Sequence, residues 1–127
     1  MSFRFWLTTG ALLAAAAVAA GAFGAHALRD RLSPGDLATF ETAARYQMYH
    51  ALGLVAVALL SARGTAGVNP AGWCFLAGIA LFSGSLYLLT LAGLRWMGAI
   101  TPLGGVAFIV GWFLLAVAGW RAGGLAA

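Results

Sequence analysis

The sequence has no lysine, three carboxylates and one cysteine in 127 residues. Each shortage closes a class of function. Cys74, standing alone, cannot form an intramolecular disulfide or a multi-cysteine metal site. No two carboxylates lie together inside an apolar run, and neither a Ser-His-acid arrangement nor a phosphate-cradling glycine loop is legible. The chain therefore reads as something other than an enzyme, with no metal and no cofactor expected. Its net charge of +4 comes from seven arginines, spread along the chain where a nucleic-acid binder would gather them in a patch or stripe. No nucleic-acid partner is expected.

Apolar residues are in excess instead. They make up 63% of the chain and charged residues 8%, against about 25% charged in an ordinary soluble domain. A soluble domain this small must turn a large fraction of its residues to solvent, and this composition suits only a solvent of lipid. Four apolar runs stand out, at about residues 5–27, 43–62, 73–93 and 101–120. Each has about the 20 residues a helix needs to cross the hydrocarbon core of a bilayer. Helices are the expected form because an unpaired backbone amide in lipid costs several kcal/mol. Arg4, Arg63, Arg95 and Arg121 flank the runs, and Trp6, Trp73, Trp96 and Trp120 lie near their ends, as interfacial anchors do. The first run imitates a secretory signal peptide, with Arg4 ahead of it and a small-residue string at 19–22. Its apolar stretch is longer than a signal core, so it is read as a retained helix.

Local chemistry refines this outline. Gly10, Ala14, Ala17, Gly21 and Gly24 repeat on one face of the first run, and Gly104, Ala107, Gly111 and Ala118 on one face of the fourth. Small residues let helix backbones approach closely, a main source of association energy in lipid. Ahead of the second run, Ser33 is the expected N-cap, Pro34 the first helical residue and Asp36 the capping-box acid, with Leu32 and Leu37 as a staple. No breaker follows until Gly64 apart from Gly53, so residues 34–44 should extend the second helix into the headgroup zone, with Glu41 and Arg45 as an i,i+4 pair. Thr101 and Pro102 predict a capped start for the fourth run. The expected fold is thus all-α, a single domain over residues 1–127 forming an integral membrane antiparallel four-helix bundle, with an interfacial helical extension before the second span.

Antiparallel spans place all three acids and both histidines at one end. Helical spacing then gathers His26, Tyr46, Gln47, His50, Ser83, Tyr87 and Thr90 into a candidate polar cluster near one leaflet, since polar groups at membrane depth face the bundle interior. Interhelical hydrogen bonding is the first reading of that cluster. A second is a proton or small-solute site with His50 titrating. A third is a bis-histidine haem or quinone site on His26 and His50.

Four segments carry a resemblance: Gly21 to Leu28, Phe40 to Leu52 with its Tyr-Gln-Met-Tyr-His string, Phe82 to Tyr87, and Ile100 to Gly105 with Thr-Pro-Leu-Gly-Gly. Together they resemble the small membrane proteins grouped as domain of unknown function 423, over nearly the whole chain. The resemblance implies a four-span protein of the bacterial cytoplasmic (inner) membrane and carries over no catalytic residue. The leading expectation is a multi-pass structural or interaction component whose partners are the lipid bilayer and a second copy or another membrane protein. The alternative is a small transporter or proton-linked binding protein. All seven arginines counted, the polar side would be cytoplasmic, four to three; with Arg45 and Arg95 set aside as interfacial and bonded to protein, the count is three to two and both termini are expected on the cytoplasmic side.

Overall fold

The computed structural model describes residues 2–123, in which four helices follow one another. These are α1 (Phe3–His26), α2 (Pro34–Ala62), α3 (Asn69–Leu91) and α4 (Thr101–Gly123). A 3₁₀ turn, Arg95–Ala99, precedes α4. One turn of α3, Ile79–Ser83, is wound as a π-helix. No strand occurs among the described residues.

The start of α2 is set by local chemistry. Ser33 Oγ accepts the Asp36 amide at 3.1 Å and Pro34 opens the first turn. Its missing N–H is one the helix end would leave unpaired anyway. The helix then runs unbroken for 29 residues, roughly 43 Å. It closes on Gly64, whose φ of +73° lets the Gly64 and Thr65 amides fold back onto the carbonyls of Ser61 and Leu60. The Asp36 carboxylate does not return to cap its own helix. It forms a two-pronged ion pair with Arg95, both contacts at 2.7 Å. Glu41 and Arg45 are both exposed and form no ion pair. The Thr101 hydroxyl likewise bonds Ser85 and the Met97 carbonyl in place of capping α4.

Successive helices are antiparallel, and glycines hold them close. Gly10 of α1 faces the Ala51 carbonyl of α2, and Gly24 faces the Phe40 ring. Between α3 and α4 the packing is reciprocal: Phe75 sits over Gly111, Phe108 over Gly78, and Gly104 against the backbone of Phe82. Of the small-residue faces expected from sequence, Gly10, Ala17, Gly24, Gly104, Gly111 and Ala118 are buried, while a side chain added at Gly21 would touch nothing. Trp6 is fully buried on Gly72 and donates to Asn69 Oδ1 at 2.9 Å, tying the starts of α1 and α3 at one end. The Asp36–Arg95 pair ties α2 to the α3–α4 link at the other.

By length and composition three helical segments suffice to cross a membrane: α1, α3, and the stretch Arg95–Gly123 that contains α4. Helix α2 falls outside that set because Arg45, Gln47 and His50 interrupt its apolar stretch. It is also the helix with the most buried residues, and its Leu54, Val57 and Ala58 lie in the core with Trp6, Phe75 and Phe108.

Candidate functional site

The polar side chains of α2 point at its neighbours on a helical spacing. Gln47 is buried and bridges three helices. Its Nε2 donates to the Leu13 carbonyl of α1 at 2.8 Å, and its Oε1 accepts the Tyr87 hydroxyl of α3 at 2.7 Å. The Leu13 carbonyl already serves its own helix. A carbonyl oxygen has a second lone pair, and Gln47 takes it. Tyr87 is steadied by the Phe40 ring at 5.2 Å. One turn toward the N-terminus of α2, Ser83 is completely buried and donates to the Ala43 carbonyl at 2.8 Å. Ser83 is the last residue of the π turn, where the extra residue re-aims the side chains that follow.

His50 is held from both ends. Its Nδ1 lies 2.7 Å from the Tyr46 carbonyl, which only accepts, and its Nε2 lies 3.0 Å from the Trp112 indole N–H, which only donates. These partners assign one tautomer, with the proton on Nδ1 and the lone pair of Nε2 engaged. The imidazole also stacks on Phe108, with ring centroids 3.4 Å apart and planes 7° from parallel. No buried side-chain nitrogen or oxygen among the described residues lacks a partner.

Outside His50, a groove of about 530 Å³ opens between α2 and α4, walled by Tyr46, Tyr49, Phe108, Ile109 and Trp112. Its lining is aromatic. The Tyr46 ring lies 4.8 Å from Phe82 and nearly parallel to it, leaving one edge exposed to the groove.

The family model described as "Protein of unknown function (DUF423)" matches residues 20–105. The chain belongs to this family. A UPF0382 membrane protein of Staphylococcus epidermidis is 50% identical over 115 residues, which cover 91% of this chain and 94% of that protein. The UPF0382 membrane protein YwdK of Bacillus subtilis is 48% identical over 117 residues, 91% and 95% of the two chains. A third, from Staphylococcus aureus, is 46% identical over 121 residues, 95% and 99% of the two chains. No solved structure matches. The DUF423 chain is thus a helical membrane protein of a family with no assigned activity.

Of the seven residues that sequence spacing grouped, this DUF423 fold joins Gln47 to Tyr87 directly and sets Ser83 one turn away. Tyr46 and His50 bond each other within α2. Thr90 is buried but bonds only carbonyls of its own helix, Leu86 and Tyr87. His26 does not join the group. Its side chain is exposed in the last turn of α1 and makes no hydrogen bond among the described residues. The level of His50 on α1 is near Gly10, which faces Ala51, so His26 lies roughly 24 Å further along the axis. The bis-histidine pair is not assembled, and no three metal-ligating side chains come together among the described residues. Sequence reasoning missed Trp112. The signal was there: it is the one tryptophan in the middle of an apolar run, where an indole N–H requires an acceptor.

Proposed function

We propose that this DUF423 protein is a structural or interaction component of the bacterial cytoplasmic membrane, crossing it four times with both termini on the cytoplasmic side. The observation that carries the reading is that the interior polar groups of α2 are spent on partners within the chain, Gln47 on α1 and α3 and His50 on α4. Polar groups satisfied in this way hold helices together in lipid, each bond contributing about 0.6 to 1.7 kcal/mol. The same burial supports a fourth crossing by α2, since Gln47 and His50 turn away from lipid and the exposed Arg45 lies toward its interfacial end. Orientation is supported by the arginine count once Arg45, within the second helix, and the ion-paired Arg95 are set aside: Arg4, Arg63 and Arg121 at one end then stand against Arg29 and Arg31 at the other. At the other end Arg95 is held by Asp36. The reading assigns no catalytic step to any side chain.

Two measurements test it. Cysteines placed at Gly67 and Gly35 should be labelled by an impermeant reagent from opposite faces, Gly67 from the cytoplasmic one; labelling from one face would remove the fourth crossing. For function, His50→Gln keeps a donor and an acceptor but cannot take up a proton near neutral pH. Purified protein in vesicles should pass no more protons than empty vesicles, with or without this substitution. A proton flux carried by the wild type and lost in a folded His50→Gln variant would replace the structural reading with the proton-linked one.

A further inference from the structure

The end of the bundle opposite the Asp36–Arg95 pair carries unpaired positive charge. The turn after α2 and the last turns of α4 form a cleft of about 350 Å³, lined by Arg63, Gly64, Thr65, Gly67, Ala118 and Arg121. Both arginines are exposed, and no carboxylate among the described residues lies within ion-pair distance of either. The three acids, Asp30, Asp36 and Glu41, sit before or at the start of α2, at the opposite end. Directly beside this cleft, and sharing Arg63 with it, an apolar groove of about 600 Å³ runs along the outer face of α2 past Ala56, Leu59 and Leu60. Leu59 is more than half exposed there.

Arginines at helix C-termini are explained in part by the helix dipole and by snorkelling to the membrane surface. Neither effect requires a cleft lined by two arginines or an apolar groove that shares one of them. A charged recess beside an apolar groove has the polarity of a single amphiphile. We propose that the two together bind one anionic glycerophospholipid, its phosphate held by Arg63 and Arg121 and an acyl chain along Leu59 and Leu60. Guanidinium suits a phosphodiester because its planar fork can give two parallel charge-assisted hydrogen bonds, and basic pockets between membrane helices take lipid headgroups on the same principle. The inference rests on the membrane-spanning reading above. It adds the ligand class and the two residues that select it.

The test is lipid retention by the full-length protein, measured by native mass spectrometry after exchange into mixed micelles of phosphatidylglycerol and phosphatidylcholine. The wild type should keep one phosphatidylglycerol with a preference of roughly twentyfold, and Arg63→Gln or Arg121→Gln should each remove about a factor of five. The double variant should show no preference, while Arg29→Gln at the opposite end should retain it in full. Leu59→Trp, which fills the apolar groove without changing charge, should weaken retention of both lipids and serves if the arginine variants do not fold. Equal retention by wild type and double variant would overturn the site. So would displacement of the lipid by glycerol phosphate at similar concentration, which would mark a free-anion site. Failure of the four-crossing reading would appear separately, in the labelling of Gly35 and Gly67.

Discussion

The α3–α4 contact makes the sharpest stability prediction, because three glycine–phenylalanine contacts share one register and one of them involves backbone. A methyl group added at Gly104 would run into the amide nitrogen of Phe82 and lie 2.8 Å from its Cα. Ordinary contact between heavy atoms is about 3.5 Å or more, so the two helices must part by about 1 Å. That movement also lifts Phe108 off Gly78 and Phe75 off Gly111. Alanine gains about 1 kcal/mol over glycine in helix propensity, and forced overpacking costs about 1 to 3 kcal/mol, occasionally more. With backbone as the obstacle the upper end applies, so Gly104→Ala should destabilise by about 2 kcal/mol net. Reversible unfolding in mixed micelles, followed by circular dichroism, should show this as roughly a thirtyfold shift in the folding equilibrium. Gly21→Ala is the control: nothing lies within 4 Å of its added methyl, so only the propensity gain remains. A second comparison separates backbone from side chain. Gly78→Ala meets the Phe108 ring, so its cost should disappear in a Phe108→Ala background, itself destabilised by about 3 to 5 kcal/mol, whereas the cost of Gly104→Ala should persist in a Phe82→Ala background. If Gly104→Ala proved as stabilising as Gly21→Ala, the close approach of α3 and α4 would be wrong.

Two further predictions concern polar contacts. Tyr87→Phe should cost about 0.6 to 1.7 kcal/mol, and Gln47→Leu should cost more because it leaves the Tyr87 hydroxyl buried without an acceptor. In a double-mutant cycle the two changes should be strongly non-additive, and additivity would mean that the 2.7 Å contact contributes nothing. The Asp36–Arg95 pair sets an acid limit. The Arg95 hydrogen bonds hold the Asp36 carboxyl below its ordinary value, so its contribution is complete above the unfolded carboxyl pKa, about 3.9. It is lost as pH falls through the lower folded value. Stability should therefore decline in that acid range in the wild type, and this part of the decline should vanish in Asp36→Asn.

The start and length of α2 were legible because they depend on neighbours in sequence. Ser33, Pro34 and the absence of a breaker before Gly64 describe a 29-residue helix without reference to any other element. The destination of the Asp36 carboxylate was not, since Arg95 lies 59 positions away. Two charge-assisted bonds from a guanidinium outweigh the single amide that a capping box offers. The π turn at Ile79–Ser83 has no local signature either: nothing in Ile-Ala-Leu-Phe-Ser separates it from ordinary helix. It coincides with the place where Gly104 rides on the Phe82 backbone and Ser83 reaches the Ala43 carbonyl, a coincidence of tertiary packing. In the candidate site, spacing within α2 put Gln47 and His50 on one face, and both side chains are buried. Grouping across helices failed at His26, because lying toward the same end of the bundle was taken as sharing a level.

The hydropathy of α2 follows from its position. A helix flanked by others need not be apolar on every side, because its neighbours supply the hydrogen-bonding partners that lipid lacks. The Leu13 carbonyl, the Tyr87 hydroxyl and the Trp112 indole are those groups, and each belongs to one of the helices that hydropathy alone assigns to the membrane. The polar residues that lower the apolar character of α2 are thus the ones that bind it to α1, α3 and α4. Replacing Gln47 and His50 together with leucine would make α2 look more like a membrane span while removing its cross-links. On this reasoning such a variant inserts as readily as the wild type but holds its helices together less tightly.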